Sequence, residues 1–281
     1  LDLGAYADFV RSTDYAFLAP FVEAESAAYK AGDFLLYESD YYAMTVLTDT
    51  TERSPTFSLP GFENQREPRT KASLAYLAIP GVQGAEAAWR HLFLREPRAL
   101  EWDVLQGVAG EERLFGFDFS ASVEKLREKK IVGARQQKFI VERKGSEAIF
   151  ALGANSASKN VGSLHPLQEQ LLVKMWLNAH SLLVMGRLGR FESNVMTWVK
   201  PSNNKLIDRA IRYVEFLLER EGLKAPYADI CHKLFEEFLS LKDGESVVIN
   251  TVAAFRPGTK MAGGSSGAER KPPFKAAPPA L

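Results

Sequence analysis

Two short apolar runs, Phe34–Tyr37 (FLLY) and Ser73–Ile79 (SLAYLAI), do most to limit what this chain can fold into. Each is the right length for a buried strand, and turn-forming pairs such as Pro60-Gly61 and Pro80-Gly81 punctuate the stretch that holds them. Helical patterns lie before, between and after them. Strands separated by helices pair in parallel, with helices packed on the sheet. The expectation is an α/β domain with a mainly parallel sheet.

The remaining segments fill that frame. Residues Tyr6 to Ala31 read as one or two helices ending at Gly32. Asp40 to Arg53 fits either a strand, through Tyr42, Met44, Val46 and Thr48, or a helix, through Met44, Leu47 and Thr51; topology favours the helix, ended by Ser54-Pro55. Gly61 to Lys71 is a polar loop. Gly84 to Leu94 and Trp102 to Phe115 read as helices, and Phe115 to Phe119 as a short strand. Val123 to Lys130 is a basic helix for Ser120 or Ser122 to cap. Lys138–Glu142 and Ala148–Leu152 flank Lys144-Gly145 as a hairpin or successive strands. Gly153 to Ser163 reads as a loop of small residues. Pro166 opens a long central helix to about Leu188, in the first-turn position that tolerates proline. Three more helices follow: Asn204 to Arg220 capped by Ser202, Pro226 to Leu239, and Ser246 to Phe255. The division is therefore an α/β domain over residues 1–201, a small helical, lid-like module over 202–256, and a Gly/Pro/Ala-rich tail over 257–281 that buries too little apolar surface to order itself.

Several function classes are set aside by the totals. The chain has 35 basic and 35 acidic residues, with no basic excess for general nucleic-acid binding. The longest apolar run, Leu171 to Met185, contains Lys174, Asn178, His180 and Ser181, too short and polar to span a bilayer. Cys231 is the single cysteine, so no internal disulfide forms, as fits a cytoplasmic or nuclear protein. The start, LDLGAYADF, has neither a secretion signal nor a methionine and reads as part of something longer.

His91, His165, His180 and His232 are scattered, without metal-ligand spacing, and His180 reads as a hydrogen-bonded core residue. No Walker-type or G-x-G-x-x-G loop follows a strand, and no G-x-S-x-G elbow occurs, so neither metal nor cofactor is expected. Glu52 and Glu86 each follow a predicted strand and its turn. A carboxylate pair over one crevice is able to work as general acid and base; the plainer reading makes Glu86 a helix N-terminal glutamate and Glu52 a solvated one. Lys205 sits in the first turn of its helix, where the dipole disfavours a cation but free N–H groups favour an anion. Arg187 and Arg190 lie at a helix C-terminus, where the dipole accounts for them.

Three segments together resemble a known family. Phe34–Phe57 (FLLYESDYYAMTVLTDTTERSPTF) is similar to the first strand and loop of sugar isomerase (SIS) domains of the N-acetylmuramic acid 6-phosphate etherase and glucokinase regulatory protein type. Val82-Gln83-Gly84-Ala85-Glu86 is similar to that family's V-E-G-A-E, and Asn194–Ala210 (NVMTWVKPSNNKLIDRA) to its N-x-K-L-V-D-R-A segment. The resemblance covers nearly all of Tyr6 to Phe255. It implies a three-layer α/β/α sandwich, a sugar-phosphate ligand of the fructose 6-phosphate or fructose 1-phosphate class, and correspondence of Glu52 and Glu86 to the catalytic glutamates and of Lys205 to a binding lysine. The chain departs from the family at the phosphate loop. The G-x-G-T-S-G-R sequence is replaced by Glu38-Ser39-Asp40-Tyr41-Tyr42-Ala43-Met44, and a later S-G-S-T-R-x-K loop by Ser158 to His165. The resemblance therefore implies the second SIS domain of a regulatory protein: non-catalytic, binding sugar phosphate through Glu52 and Lys205 together with another SIS domain, in cis or in a homodimer, and inhibiting a hexokinase-type enzyme such as glucokinase. The alternative is a divergent etherase-like lyase acting as a homodimer.

Overall fold

The structure, a computed structural model, describes residues 3–256 apart from 68 and 101. The tail 257–281, expected to be disordered, lies outside the described residues.

Helices α1 (Leu3–Ser12) and α2 (Ala19–Lys30) lead into strand β1 (Phe34–Glu38), followed by α3 (Ala43–Phe57), β2 (Ala75–Ala78) and α4 (Ala85–Phe93). Two short helices, α5 (Gln106–Ala109) and α6 (Glu111–Gly116), precede α7 (Val123–Lys130). The chain then builds β3 (Gln136–Lys144), β4 (Glu147–Leu152) and β5 (Asn155–Asn160). Helix α8 (Pro166–Arg187) completes the α/β unit; α9 (Asn204–Arg220), α10 (Tyr227–Ser240) and α11 (Val247–Phe255) form the helical module.

The five strands lie in the order β2-β1-β3-β4-β5. β1 is parallel to both β2 and β3, whereas β3–β4 and β4–β5 are antiparallel. The α/β class is as expected, but the sheet is half parallel rather than mainly parallel. The reason is local: Gly145 and Gly153, at φ of +60° and +59°, turn tight hairpins where a crossover helix would be needed for parallel pairing. One sheet face carries Tyr37, Phe139 and Phe150, covered by Phe21 of α2 and Trp176 of α8. Tyr76 of β2 packs with Phe62, Phe119 and the guanidinium of Arg127 from α7. A separate apolar cluster, from Val199 through Leu206, Val214 and Leu234 to Val252, holds α9, α10 and α11 together.

Several expectations need correction. Helix α3 does not stop at Ser54-Pro55 but runs through Pro55 to Phe57, ending at Ser58 in the left-handed conformation (φ 50°), whose hydroxyl donates to the Trp198 carbonyl at 2.7 Å. The helix read over Trp102–Phe115 breaks at Gly110, the C-cap of α5 and N-cap of α6, where a Cβ would run into the Gln106 backbone. Phe115–Phe119 is no strand; α6 occupies its start, and only a parallel bridge, Ile79 to Ser120, extends the sheet there. The supposed loop Gly153–Ser163 contains edge strand β5. Its sequence, NSASKN, lacks an apolar face, and backbone pairing with β4 holds it. Ser122 occupies the N-cap of α7 without a side-chain cap bond, and Asn203, not Ser202, caps α9 by accepting from the Leu206 N–H at 3.0 Å. Helix α8 is only half buried: Leu167, Leu171, Met175 and Leu183 stay exposed along it.

Candidate functional site

Glu52 and Lys205 line the same cleft. It has a volume of about 400 Å³ and is walled by the later turns of α3, the middle of α8 and the first turns of α9. α3 puts Glu52 toward solvent and Asp49 and Arg53 toward the core. The residues Asn203, Lys205 and Arg209 come from the start of α9. The reason for this meeting lies in α3·α8 packing and in the Pro55 carbonyl, which accepts from the Lys200 N–H at 2.9 Å and ties the segment before α9 to the end of α3.

The cleft is electrostatically lopsided. Lys174 of α8 holds Glu52 by an ion pair of 2.9 Å and lies 3.7 Å from the Asp49 carboxylate. Asp49 also accepts from Arg53 at 2.9 Å and from the Ser181 hydroxyl at 3.2 Å. Every acid of the cleft is thus paired. Lys205 and Arg209, one helical turn apart, have no side-chain partner among the described residues, although both line the cleft. Lys205 stands in the first turn of this 17-residue helix and Arg209 in the second; of the first N–H groups, that of Leu206 is taken by Asn203. Two unpaired cations one turn apart near a helix N-terminus favour an anion of small size. Arg209 was not singled out by the sequence reading, though its spacing of four from Lys205 puts both on one helix face.

Beneath the cleft lies a buried charge network. Glu25 of α2 is fully buried and accepts from the Tyr29 hydroxyl at 2.7 Å, the Tyr37 hydroxyl at 2.6 Å and Arg53 at 2.6 Å. Burial pushes the Glu25 carboxyl up, but Arg53, His180 and the two tyrosines outweigh it and hold it below the usual carboxylate range. His180 is buried as expected, but no strong hydrogen bond reaches either ring nitrogen: the contact with the Phe21 backbone is a weak one, and Nε2 stands 3.6 Å from Glu25. Burial drives its pKa below the ordinary value despite Glu25, so the imidazole is neutral at pH 7.

Glu86 does not line the cleft. It sits in the first turn of α4 and pairs with Arg90, which also holds Glu96 at 2.6 Å. The two glutamates are therefore not assembled into one acid–base pair over this cleft.

The turn after β1 has its own account. The backbone N–H groups of Asp40 and Tyr41 donate to the Glu142 carboxylate at 2.6 and 3.2 Å. The Tyr42 ring is fully buried beneath the turn, its hydroxyl donating to Glu169 at 2.5 Å, and Glu169 also receives Arg143 at 2.8 Å. Burial and then the Glu169 bond raise the Tyr42 pKa far above the normal tyrosine range, so it remains a donor. Glu38 pairs with Lys138 at 2.7 Å and Asp40 with His91 at 2.8 Å. In sequence this turn replaces the family's phosphate loop with bulky and acidic residues. The structure shows two amide donors present and occupied by the protein's own carboxylate. The later loop set against the family's second phosphate loop, Ser158 to His165, is equally committed: Lys159 pairs with Asp14 at 3.2 Å, and the His165 ring caps α8 by accepting from the Leu167 N–H at 3.3 Å. Among the described residues no cluster of metal-binding side chains occurs, and no helix is long and apolar enough to cross a membrane.

No protein-family model matches the chain, and no curated protein matches it.

Proposed function

We propose that this chain is a non-catalytic, sugar-phosphate-responsive regulatory domain of the SIS type. The observation that carries the reading is the cleft in which Glu52 stands with the unpaired Lys205 and Arg209. The two cations and the α9 N-terminus suit a phosphate, and Glu52 suits a sugar hydroxyl. Glu86, the other carboxylate a lyase would need, lies outside the cleft and is paired with Arg90. That separation favours binding over elimination chemistry.

A second SIS domain completes the site in this reading, because the chain's own turn after β1 is closed by Glu142. The exposed apolar residues of α8, Leu167, Leu171 and Met175, recur every four residues on the helix that supplies Lys174. They give such a domain, in cis or as a second copy, a surface to bury next to Glu52. The regulated enzyme is of the hexokinase type. Two assays test the proposal. N-acetylmuramic acid 6-phosphate should release no lactate, and a hexokinase-type enzyme should be inhibited by the two-domain protein in a manner that depends on fructose phosphate. Lactate release abolished by Glu52→Gln would overturn it in favour of a lyase.

A further inference from the structure

A larger cleft of about 600 Å³ lies between the α/β unit and the helical module, and it shares no lining residue with the Glu52 cleft. Its α/β wall includes Phe62, Phe117 and Trp198; its opposite wall includes Phe238 and Leu241 of the helical module. Small-molecule sites favour such junctions, roughly 300–1,000 Å³ in size, mostly apolar with a few directed polar groups. The polar groups here are unbalanced. Glu67 pairs with Arg113, Asp243 with Lys71 at 2.9 Å, and Glu245 accepts from the Lys242 N–H at 3.1 Å and the Asn250 amide at 3.2 Å. Trp198, Lys200 and Lys242 also line the cleft, and the two ammonium groups and the indole N–H have no hydrogen-bond or ion-pair partner among the described residues. Arg190 stacks 3.8 Å from the centre of the Trp198 ring and fixes that wall.

We propose that this cleft is a second ligand site, for a small amphiphilic anion: a ring-bearing apolar body carrying one acidic group. The aromatic walls take the body, and Lys200 and Lys242 take the acid. Phe62, Phe117, Trp198 and Phe238 favour a ligand with an apolar ring-bearing body over a sugar phosphate, whose hydroxyls leave little apolar surface to bury. Since the walls come from both units, an occupant ties the helical module to the α/β unit and raises the temperature at which they unfold.

The probe is 8-anilinonaphthalene-1-sulfonate, an aromatic sulfonate, titrated against the native chain by fluorescence and calorimetry. Its uncharged relative N-phenyl-1-naphthylamine serves as the partner probe. The expected result is one equivalent of sulfonate bound, not displaced by fructose 6-phosphate. The Lys200→Gln, Lys242→Gln double variant should weaken the sulfonate about tenfold and leave the uncharged probe unaffected. Phe238→Ala should weaken both. Both lysines are exposed, so the double variant keeps the fold, checked by its circular dichroism and melting temperature. Absence of saturable binding, displacement by fructose 6-phosphate, or unchanged sulfonate affinity in the double variant would each overturn the proposal.

Discussion

Replacing Arg53 with leucine should cost this protein a large part of its stability. The guanidinium is 4% exposed and bridges Glu25 at 2.6 Å, Asp49 at 2.9 Å and the Tyr37 hydroxyl at 2.9 Å. Leucine fills part of the volume but leaves Glu25, itself fully buried, without the one permanent cation that pairs with it among the described residues. Removing one member of a buried ion pair costs about 3–5 kcal/mol. In a domain of this size that is a melting-temperature drop of roughly 6–20 °C. Tryptophan fluorescence in a urea titration reads the α/β unit, because Trp89, Trp102, Trp176 and Trp198 all precede residue 201. The second arm is Glu25→Gln in the Arg53→Leu background. It removes the orphaned charge and should recover part of the loss, giving a coupling energy within about 0.5–3 kcal/mol. A loss below about 1 kcal/mol in the single variant, or strict additivity in the cycle, would refute the network as described.

Other outcomes follow from the same reasoning. Acidification should destabilise the fold in two stages, because His180 and Glu25 both titrate below their ordinary values when folded. The His180 contribution is whole above about pH 6.5 and lost as pH falls below it, that of Glu25 whole above about pH 4.3 and lost below; His180→Asn should flatten the upper stage in denaturation midpoints measured from pH 8 to 4. Arg127→Met strands the fully buried Glu63 and should cost about 3–5 kcal/mol by urea titration. Gly116→Ala drives a methyl into the buried Asn64 amide and should lower stability by about 1–3 kcal/mol. Asn203→Ala removes the α9 cap and should cost about 1 kcal/mol, seen as faster amide exchange in the first turn of α9.

Much of the fold was legible because its signals are local. The bounds of α9 follow from its apolar stripe, with Leu206, Ala210, Val214 and Leu217 buried at spacings of three and four. β1, β2 and the β3–β4 hairpin follow from apolar runs and glycine turns. β5 was not legible, since an edge strand of small polar residues is specified by its neighbour's backbone and not by its own side chains. Pro55 within α3 was missed because a proline near a helix end loses a single hydrogen bond, which tertiary packing outweighs. The site divides the same way. Lys205 was legible from its place in the first turn, and Arg209 was available one turn further on. Glu142 was not, because a carboxylate about a hundred residues away in sequence leaves no mark on the turn it occupies.

In the proposed function, Glu52, Lys205 and Arg209 form one half of a sugar-phosphate site. The direct measurement is calorimetric titration of fructose 6-phosphate into the chain alone and into the chain joined to a SIS domain that carries a G-x-G-T-S-G-R loop. The expected result is weak or undetectable binding to the chain alone and saturable binding to the joined protein, weakened about tenfold or more by Glu52→Ala, Lys205→Ala or Arg209→Ala. Tight binding to the chain alone, or full affinity in all three variants of the joined protein, would contradict it.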